Sequence, residues 1–368
     1  MKKRLLGIII LILLICGVVF IKSILNPSEI SKQNSSTLSI EERKKVKIAD
    51  LSDVEIFLED KVKEIINLKY NFDVSYEKLS NNELSNSSLL NNVNSNYDLI
   101  FSNNEILNNL KEKVNEKNEN NLNYENLLST PLVIYSWNEV VDILINENIV
   151  TKKDDVYYIT DMNKLINYIL EGKMWAELGL DMVYGNINII SANPINTSSG
   201  ASYYSLLLST MSKESLNAEE TFPKLKEIYE KSECMSSDEE NLFDRYVRLG
   251  MPAVPLFADY EKSIIKFANS NPSAFKQIES NIKILYPSPT ILKEYVLESF
   301  TENGNNFKDI FSDSEFQKVV LEKFGLRKNS EKNENLEING TSKDMPEAFQ
   351  TLDSNIYKEL ISYLNENN

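Results

Sequence analysis

The chain has 368 residues, 42% hydrophobic and 26% charged, an ordinary globular composition with enough length for two lobes. Its net charge of −16 argues against nucleic acid or an anionic membrane surface as a partner. Histidine is absent, which removes Ser-His-Asp and Cys-His catalysis and imidazole-based zinc sites. The two cysteines, Cys16 and Cys234, offer no disulfide framework, because Cys16 lies in an apolar N-terminal run.

That run is Leu5–Ile21, preceded by Lys2, Lys3 and Arg4. It carries no charge and is close to the minimum length for a membrane span. The cations keep the N-terminus inside and place the rest of the chain outside. Three readings compete: a cleaved signal peptide, a lipoprotein signal at Cys16, and an uncleaved anchor. Small residues are not placed for cleavage, Ile15 stands where lipidation needs a small side chain, and the run continues past Cys16. The uncleaved anchor is favoured, covering residues 1–22, with a polar tether over 23–43.

Beyond the tether, short apolar runs alternate with helical patterns. Lys44–Asp50 reads as a first strand and Asp53–Asn71 as a helix. Asn96–Ser102 and Thr130–Trp137 read as buried strands. Asp161 introduces a helix containing Leu165, Ile166, Ile169 and Leu170, and Gly179 closes it or the turn after it. Asn186–Ala192, Met251–Ala258 and Ile282–Pro289 are further strands. Ser314–Leu326 is a late helix ending at Gly325. Arg327–Asp344 reads as a charged linker and Met345–Asn367 as a final amphipathic helix. This alternation predicts an α/β fold with mostly parallel sheets.

The segment after the strand Asn186–Ala192 gathers Thr197, Ser198, Ser199, Gly200 and Ser202 at the start of an apolar helix. Free N–H groups and the helix dipole suit an anion or a polar oxygen there. Simple N-capping accounts for the same residues. Trp137 and Trp175 are read as core residues rather than stacking platforms. The acid pairs Glu59-Asp60 and Glu239-Glu240 are read as solvated faces, not calcium ligands or a glycosidase dyad.

Taken in order, "YDLIFSNNEIL", "PLVIYSW", "WAELGLDMVYGNINIISANPINTSSGASYYSLLLSTM", "FDRYVRLGMPAVPLFADYEKSIIKF", "ILYPSPT" and "FQKVVLEKFGLRK" resemble bacterial extracellular solute-binding proteins. The group resembled is the type II periplasmic-binding-protein superfamily, with its molybdate, sulfate and phosphate receptors. The resemblance covers about Lys44 to Lys328. It implies two α/β lobes joined by hinge crossover strands, with a ligand in the cleft between them. Lobe 1 would be 44–134 plus a return over 284–327, and lobe 2 would be 135–283; a linker and C-terminal helix follow over 328–368.

The resemblance also implies cleft residues. Thr197, Ser198, Ser199, Gly200 and Ser202 would face the cleft at a lobe-2 helix start. Family members usually carry a "DPTKSNSG"-like form there, whereas this chain keeps Pro, Ser and Gly but has Asn193 for the Asp and Ile195 for the Lys. Ser52 and Asp53 would follow the first strand, Ser102 and Asn103 the second. Tyr135 and Ser136 would lie at the first crossover, and Tyr260 beside Glu261 in a Tyr-Glu pair. Each has a structural alternative: Ser102 and Asn103 as turn caps, Tyr135 as core, Asp53 as an N-cap.

The function implied is a membrane-anchored extracellular protein that captures a small polar or anionic solute for an ABC permease, as a monomer, with no cofactor, no metal and no catalysis. The competing reading is a non-transport surface protein, acting in sensing, adhesion or envelope stress, that keeps the binding fold. An extracellular hydrolase built on a pair such as Ser212-Lys213 is disfavoured by the lack of histidine.

Overall fold

A computed structural model describes residues 42–79, 93–103, 125–212, 218–232, 242–328, 338–350 and 354–366. The expected membrane anchor, nearly all of the tether, and Cys234 lie outside the described residues. Among those described, no helix is long and apolar enough to cross a membrane. Lys44 to Asn368 form a single unit.

Ten strands are described: β1 (Lys44–Asp50), β2 (Phe72–Lys78), β3 (Leu99–Asn103), β4 (Glu125–Trp137), β5 (Val150–Lys153), β6 (Val156–Ile159), β7 (Ile190–Ser191), β8 (Phe257–Tyr260), β9 (Ile282–Pro287) and β10 (Leu292–Ser299). The helices are α1 (Asp60–Glu64), α2 (Val93–Asn96), α3 (Asn138–Asn146), α4 (Met162–Leu170), α5 (Ser198–Met211), α6 (Ala218–Lys231), α7 (Leu242–Leu249), α8 (Lys262–Ser270), α9 (Pro272–Ile278), α10 (Glu302–Phe307), α11 (Ser314–Phe324) and α12 (Ser354–Asn365).

The sheet runs β2-β1-β3-β10-β4-β9-β6-β5, with β8 on β4 and β7 on β8. Strand β4 belongs to both halves. Its first part, up to Pro131, pairs with β10; from Leu132 it pairs with β8 and then with β9. Proline has no N–H to give a central ladder, so Pro131 sits where the strand changes partners. Its carbonyl accepts the N–H of Glu261 at 2.9 Å. The expected lobe boundaries, after Ile134 and before Ile284, fall inside β4 and β9.

The sheet is mixed, not mostly parallel as expected. Strands β1-β2, β1-β3, β6-β9 and β7-β8 are parallel, while β10 on β3, β10 on β4, β8 and β9 on β4, and β5 on β6 are antiparallel. The reason is directional. The chain leaves the first half on β4 and returns on β9 and β10, so outgoing and returning strands must oppose each other. Each half has its own core, one around Ile48, Phe57, Phe101 and Phe311, the other around Ile134, Leu165, Trp175, Leu207 and Leu285.

Local chemistry explains the shorter elements. The helix expected over Asp53–Asn71 is instead a 3-10 turn, α1, and a π turn over Ile65–Lys69 that buries Ile65 and Ile66 together. The strand expected over Met251–Ala258 is confined to β8, because Pro252 and Pro255 cannot donate. Helix α4 begins as read, with Asp161 accepting the Lys164 N–H at 2.8 Å, and Gly179 closes the next turn at φ 85°. Helix α11 ends at Gly325 with φ 65°. Among the described residues the final helix occupies Ser354–Asn365, and 345–350 are not helical. Ahead of it the Thr290 N–H bonds the Glu347 carbonyl and the Phe349 N–H bonds the Thr290 carbonyl, both at 2.8 Å.

Arg327, read as the start of a linker, is among the most buried residues of the chain. Its Nε donates to Glu261 Oε1 at 2.8 Å, its Nη2 to Glu261 Oε2, and its Nη1 to the Ser342 carbonyl at 2.7 Å. The Tyr286 hydroxyl donates to Glu261 Oε2 and accepts the Ser342 N–H at 3.0 Å. Backbone bonds between Arg327 and Ser129 (2.7 and 2.8 Å) fasten the same point to β4. After it the C-terminal segment passes to the second half. There Leu360 and Leu364 of α12 are buried, and the Tyr357 hydroxyl donates to the Pro194 carbonyl at 2.9 Å.

Removing one partner of a buried, hydrogen-bonded ion pair strands the other charge, at a cost of about 3–5 kcal/mol. Arg327→Met should therefore lower the urea midpoint by an equivalent amount, and the Glu261→Leu/Arg327→Met pair of changes should recover part of the loss.

Candidate functional site

The loop after β1 is built to present one carboxylate. Asp50 is buried; its Oδ1 accepts the Ser52 N–H at 2.7 Å and its Oδ2 the Tyr76 hydroxyl at 2.7 Å. Ser52 Oγ donates to the Val54 carbonyl at 2.8 Å, and Lys78 Nζ donates to the Ser52 carbonyl. Burial raises the Asp50 pKa even against the charge of Lys78. With Asp50 and Ser52 committed to the turn, Asp53 projects from it.

Asp53 meets three donors. Its Oδ1 accepts the Tyr295 hydroxyl at 2.8 Å. Its Oδ2 accepts Lys293 Nζ at 3.0 Å and also Lys262 Nζ. Lys262 Nζ donates in addition to the Tyr295 oxygen at 3.0 Å. Lys293 then links across to the start of α5, donating to Ser198 Oγ at 2.7 Å. The Tyr260 hydroxyl donates to the Ser198 carbonyl at 2.8 Å. A phenol has one proton, so Ser202 Oγ is the donor in its 2.7 Å bond to Tyr260. The ammonium groups also lie by the two rings: Lys293 Nζ is 5.1 Å from the Tyr260 centroid and Lys262 Nζ 5.7 Å from that of Tyr295, within cation–π range.

Burial alone would raise the Asp53 pKa, but the charges of Lys262 and Lys293 outweigh it and hold the carboxyl well below its usual range. Burial, followed by the like charge of Lys293, pushes Lys262 down despite Asp53 and Asp259. The two lysines thus crowd each other, and negative charge between them relieves both.

Of the residues expected in the cleft, Asp53, Ser198, Ser202 and Tyr260 come together here. Asn103 lies opposite Tyr295 in the β3-β10 ladder, on the same face. Ser102 lies opposite Val296 and faces the other way, its buried hydroxyl without a hydrogen-bond partner among the described residues. Tyr135 is fully buried; its hydroxyl donates to the Tyr260 carbonyl at 2.8 Å and accepts the Ile264 N–H at 3.3 Å. Ser136 Oγ donates to the Pro255 carbonyl at 3.0 Å. Thr197 is the N-cap of α5, its Oγ1 accepting the Gly200 N–H at 3.2 Å and donating to the Asn193 carbonyl at 2.6 Å. Ser199 is buried in the first turn of α5. Gly200 makes room for the chain itself: a Cβ there would stand 2.7 Å from both the Asn193 carbonyl carbon and Thr197 Oγ1. Trp137 and Trp175 are buried in the second core.

Sequence reasoning missed Lys262, Lys293 and Tyr295. Signals for them exist. Lys293, Tyr295 and Leu297 share one face at strand period, so a lysine there points inward. Lys262 opens α8, at the helix end whose dipole disfavours a cation. Lys293 reaches the α5 start from another strand.

Two α/β halves share strand β4, with a polar cluster where they meet, and this fold is one that solved binding proteins also have. No protein-family model and no curated protein matches the sequence. Solved structures do. Apo FutA2 from Synechocystis PCC6803 superposes with a TM-score of 0.57 at 13% identity, covering 88% of this chain and 98% of that one. The ferric binding protein from Campylobacter jejuni gives 0.55 at 15%, covering 87% and 98%. Iron-bound HitA from Pseudomonas aeruginosa gives 0.54 at 10%, covering 88% and 99%. At such identities the likeness is one of fold.

A Cβ at position 200 has no space, and overpacking of this kind costs about 1–3 kcal/mol. Gly200→Ala should lower the urea midpoint accordingly. A carboxyl whose folded pKa is depressed stabilises the fold fully above its unfolded value of about 4 and loses that contribution as pH falls through the depressed value. The stability gap between wild type and Asp53→Asn should therefore be constant from about pH 7 to 5 and should close below about pH 4, as read by urea unfolding across that range.

Proposed function

We propose that the protein is an extracellular solute-binding protein that takes a small anionic solute between its two halves, held at the membrane by its N-terminal apolar segment and serving an ABC permease. One observation carries this reading. Lys262, Lys293, Tyr260, Tyr295 and the start of α5 converge from different elements on a single point where negative charge is favoured. The lysines weigh against a bare cation such as the iron named for HitA, because two ammonium groups would repel it. Lys262, Lys293 and the Tyr295 hydroxyl, which all donate to the Asp53 carboxylate, are the donors a solute oxygen would meet. The −16 charge of the chain as a whole repels anions at long range, so capture depends on this local cluster.

A ligand bound only by the folded protein stabilises it by about 2.7 kcal/mol at a hundredfold excess over its dissociation constant. Thermal-shift titration of the full-length protein against small carboxylates, phosphates, sulfates and neutral sugars should single out an anion. Lys293→Met should abolish that response, while Ser136→Ala, whose hydroxyl is spent on Pro255, should retain it. Stabilisation by neutral sugars or ferric ion alone, untouched by Lys293→Met, would overturn the reading.

A further inference from the structure

We propose that the cleft carries its own anion: the Asp53 carboxylate fills the oxyanion position between Lys262 and Lys293, and a solute enters by exchanging its carboxylate or phosphate-type group for that of Asp53. This rests on reading the cleft as the solute site, and it concerns how that site is loaded.

Three observations support exchange over simple addition. First, Asp53 is bound as a ligand would be, with two ammonium groups and a phenol on one carboxylate. Second, the partners differ in freedom. The side chain of Lys293 is 5% exposed and that of Lys262 15%, while that of Asp53 is 35% exposed. The carboxylate is the most solvent-accessible member of the cluster, and the lysines are the more enclosed ones. Third, the turn that bears Asp53 is tied down through Asp50, Ser52 and Lys78, so the side chain can leave without the loop unfolding. Buried like charges need a counter-charge at all times. Asp53 supplies it in the free protein, and the solute supplies it in the complex. The same carboxylate links the loop after β1 to α8, so its release also frees a contact between the two halves.

A tethered competitor acts at an effective concentration in the millimolar range or above. The full-length protein would be titrated with inorganic phosphate and, separately, with acetate at constant ionic strength, following the melting temperature. Asp53→Ala, and Asp53→Asn as the isosteric control for folding, should respond at concentrations about tenfold or more below those needed by wild type. A stronger gain for acetate points to a carboxylate solute and for phosphate to a phosphate-type one. Adding Lys293→Met to Asp53→Ala should abolish the gain. Equal responses in wild type and both Asp53 variants, or a gain that survives Lys293→Met, would overturn the exchange. Weaker binding in the Asp53 variants would also overturn it, by showing Asp53 to be a solute contact, while leaving the solute site intact. No response from any form to either anion would remove both the exchange and the anionic-solute reading beneath it.

Discussion

The buried pair of Glu261 and Arg327 is the point at which the two halves of this protein are fastened together. Glu261 takes its backbone bond from β4 through Pro131, its side-chain bonds from Arg327 at the end of the first half, and another from Tyr286 at the end of β9. Arg327 in turn fastens the C-terminal segment through Ser342. Five stretches of chain, at Pro131, Glu261, Tyr286, Arg327 and Ser342, meet at one salt bridge, and neither charge has access to water. An isolated buried charge is so costly that each stretch is held in place by the others.

The neighbours of Glu261 connect that junction to the cleft. Tyr260, Glu261 and Lys262 are consecutive. The central residue faces the junction, and the residues on either side face the polar cluster, where Tyr260 reaches Ser198 and Lys262 reaches Asp53. A shift of the chain at Glu261 must therefore move two cleft side chains together. The buried junction and the polar cluster thus share a tripeptide. The C-terminal segment adds a further tie, running from the junction past Thr290 to α12, which bonds the loop carrying Pro194 just before the α5 start.

The cluster also shows how an acidic chain can favour negative charge at one point. Its two lysines lie on different elements, partly covered by tyrosine rings, where screening by water is weak and each charge counts for more than one on the surface. The proteins of similar fold include ones named for iron, and a shared fold does not by itself fix what a site binds.

Much of this was legible from the residues. The alternation of Lys44–Asp50, the Asp161 cap, the Gly325 stop and the Thr197 cap are local devices, set by backbone conformation and hydrogen bonds within a few residues, and they form where the sequence places them. Asp53, Ser198, Ser202 and Tyr260 were also reached by reading motifs in order. Long-range pairing was not legible. Nothing near Arg327 in the chain shows that its partner is 66 residues away, and the charged residues around it read as a linker. Lys293 is 95 residues from Ser198 and 240 from Asp53, and only the antiparallel return of β10 beside β3 and β4 brings them together. The sequence by itself determined many of the elements and their caps, because these depend on local geometry, and its resemblance to a family pointed to Asp53, Ser198, Ser202 and Tyr260. The tertiary structure alone decided which buried charges neutralise one another, because that depends on which strands become neighbours.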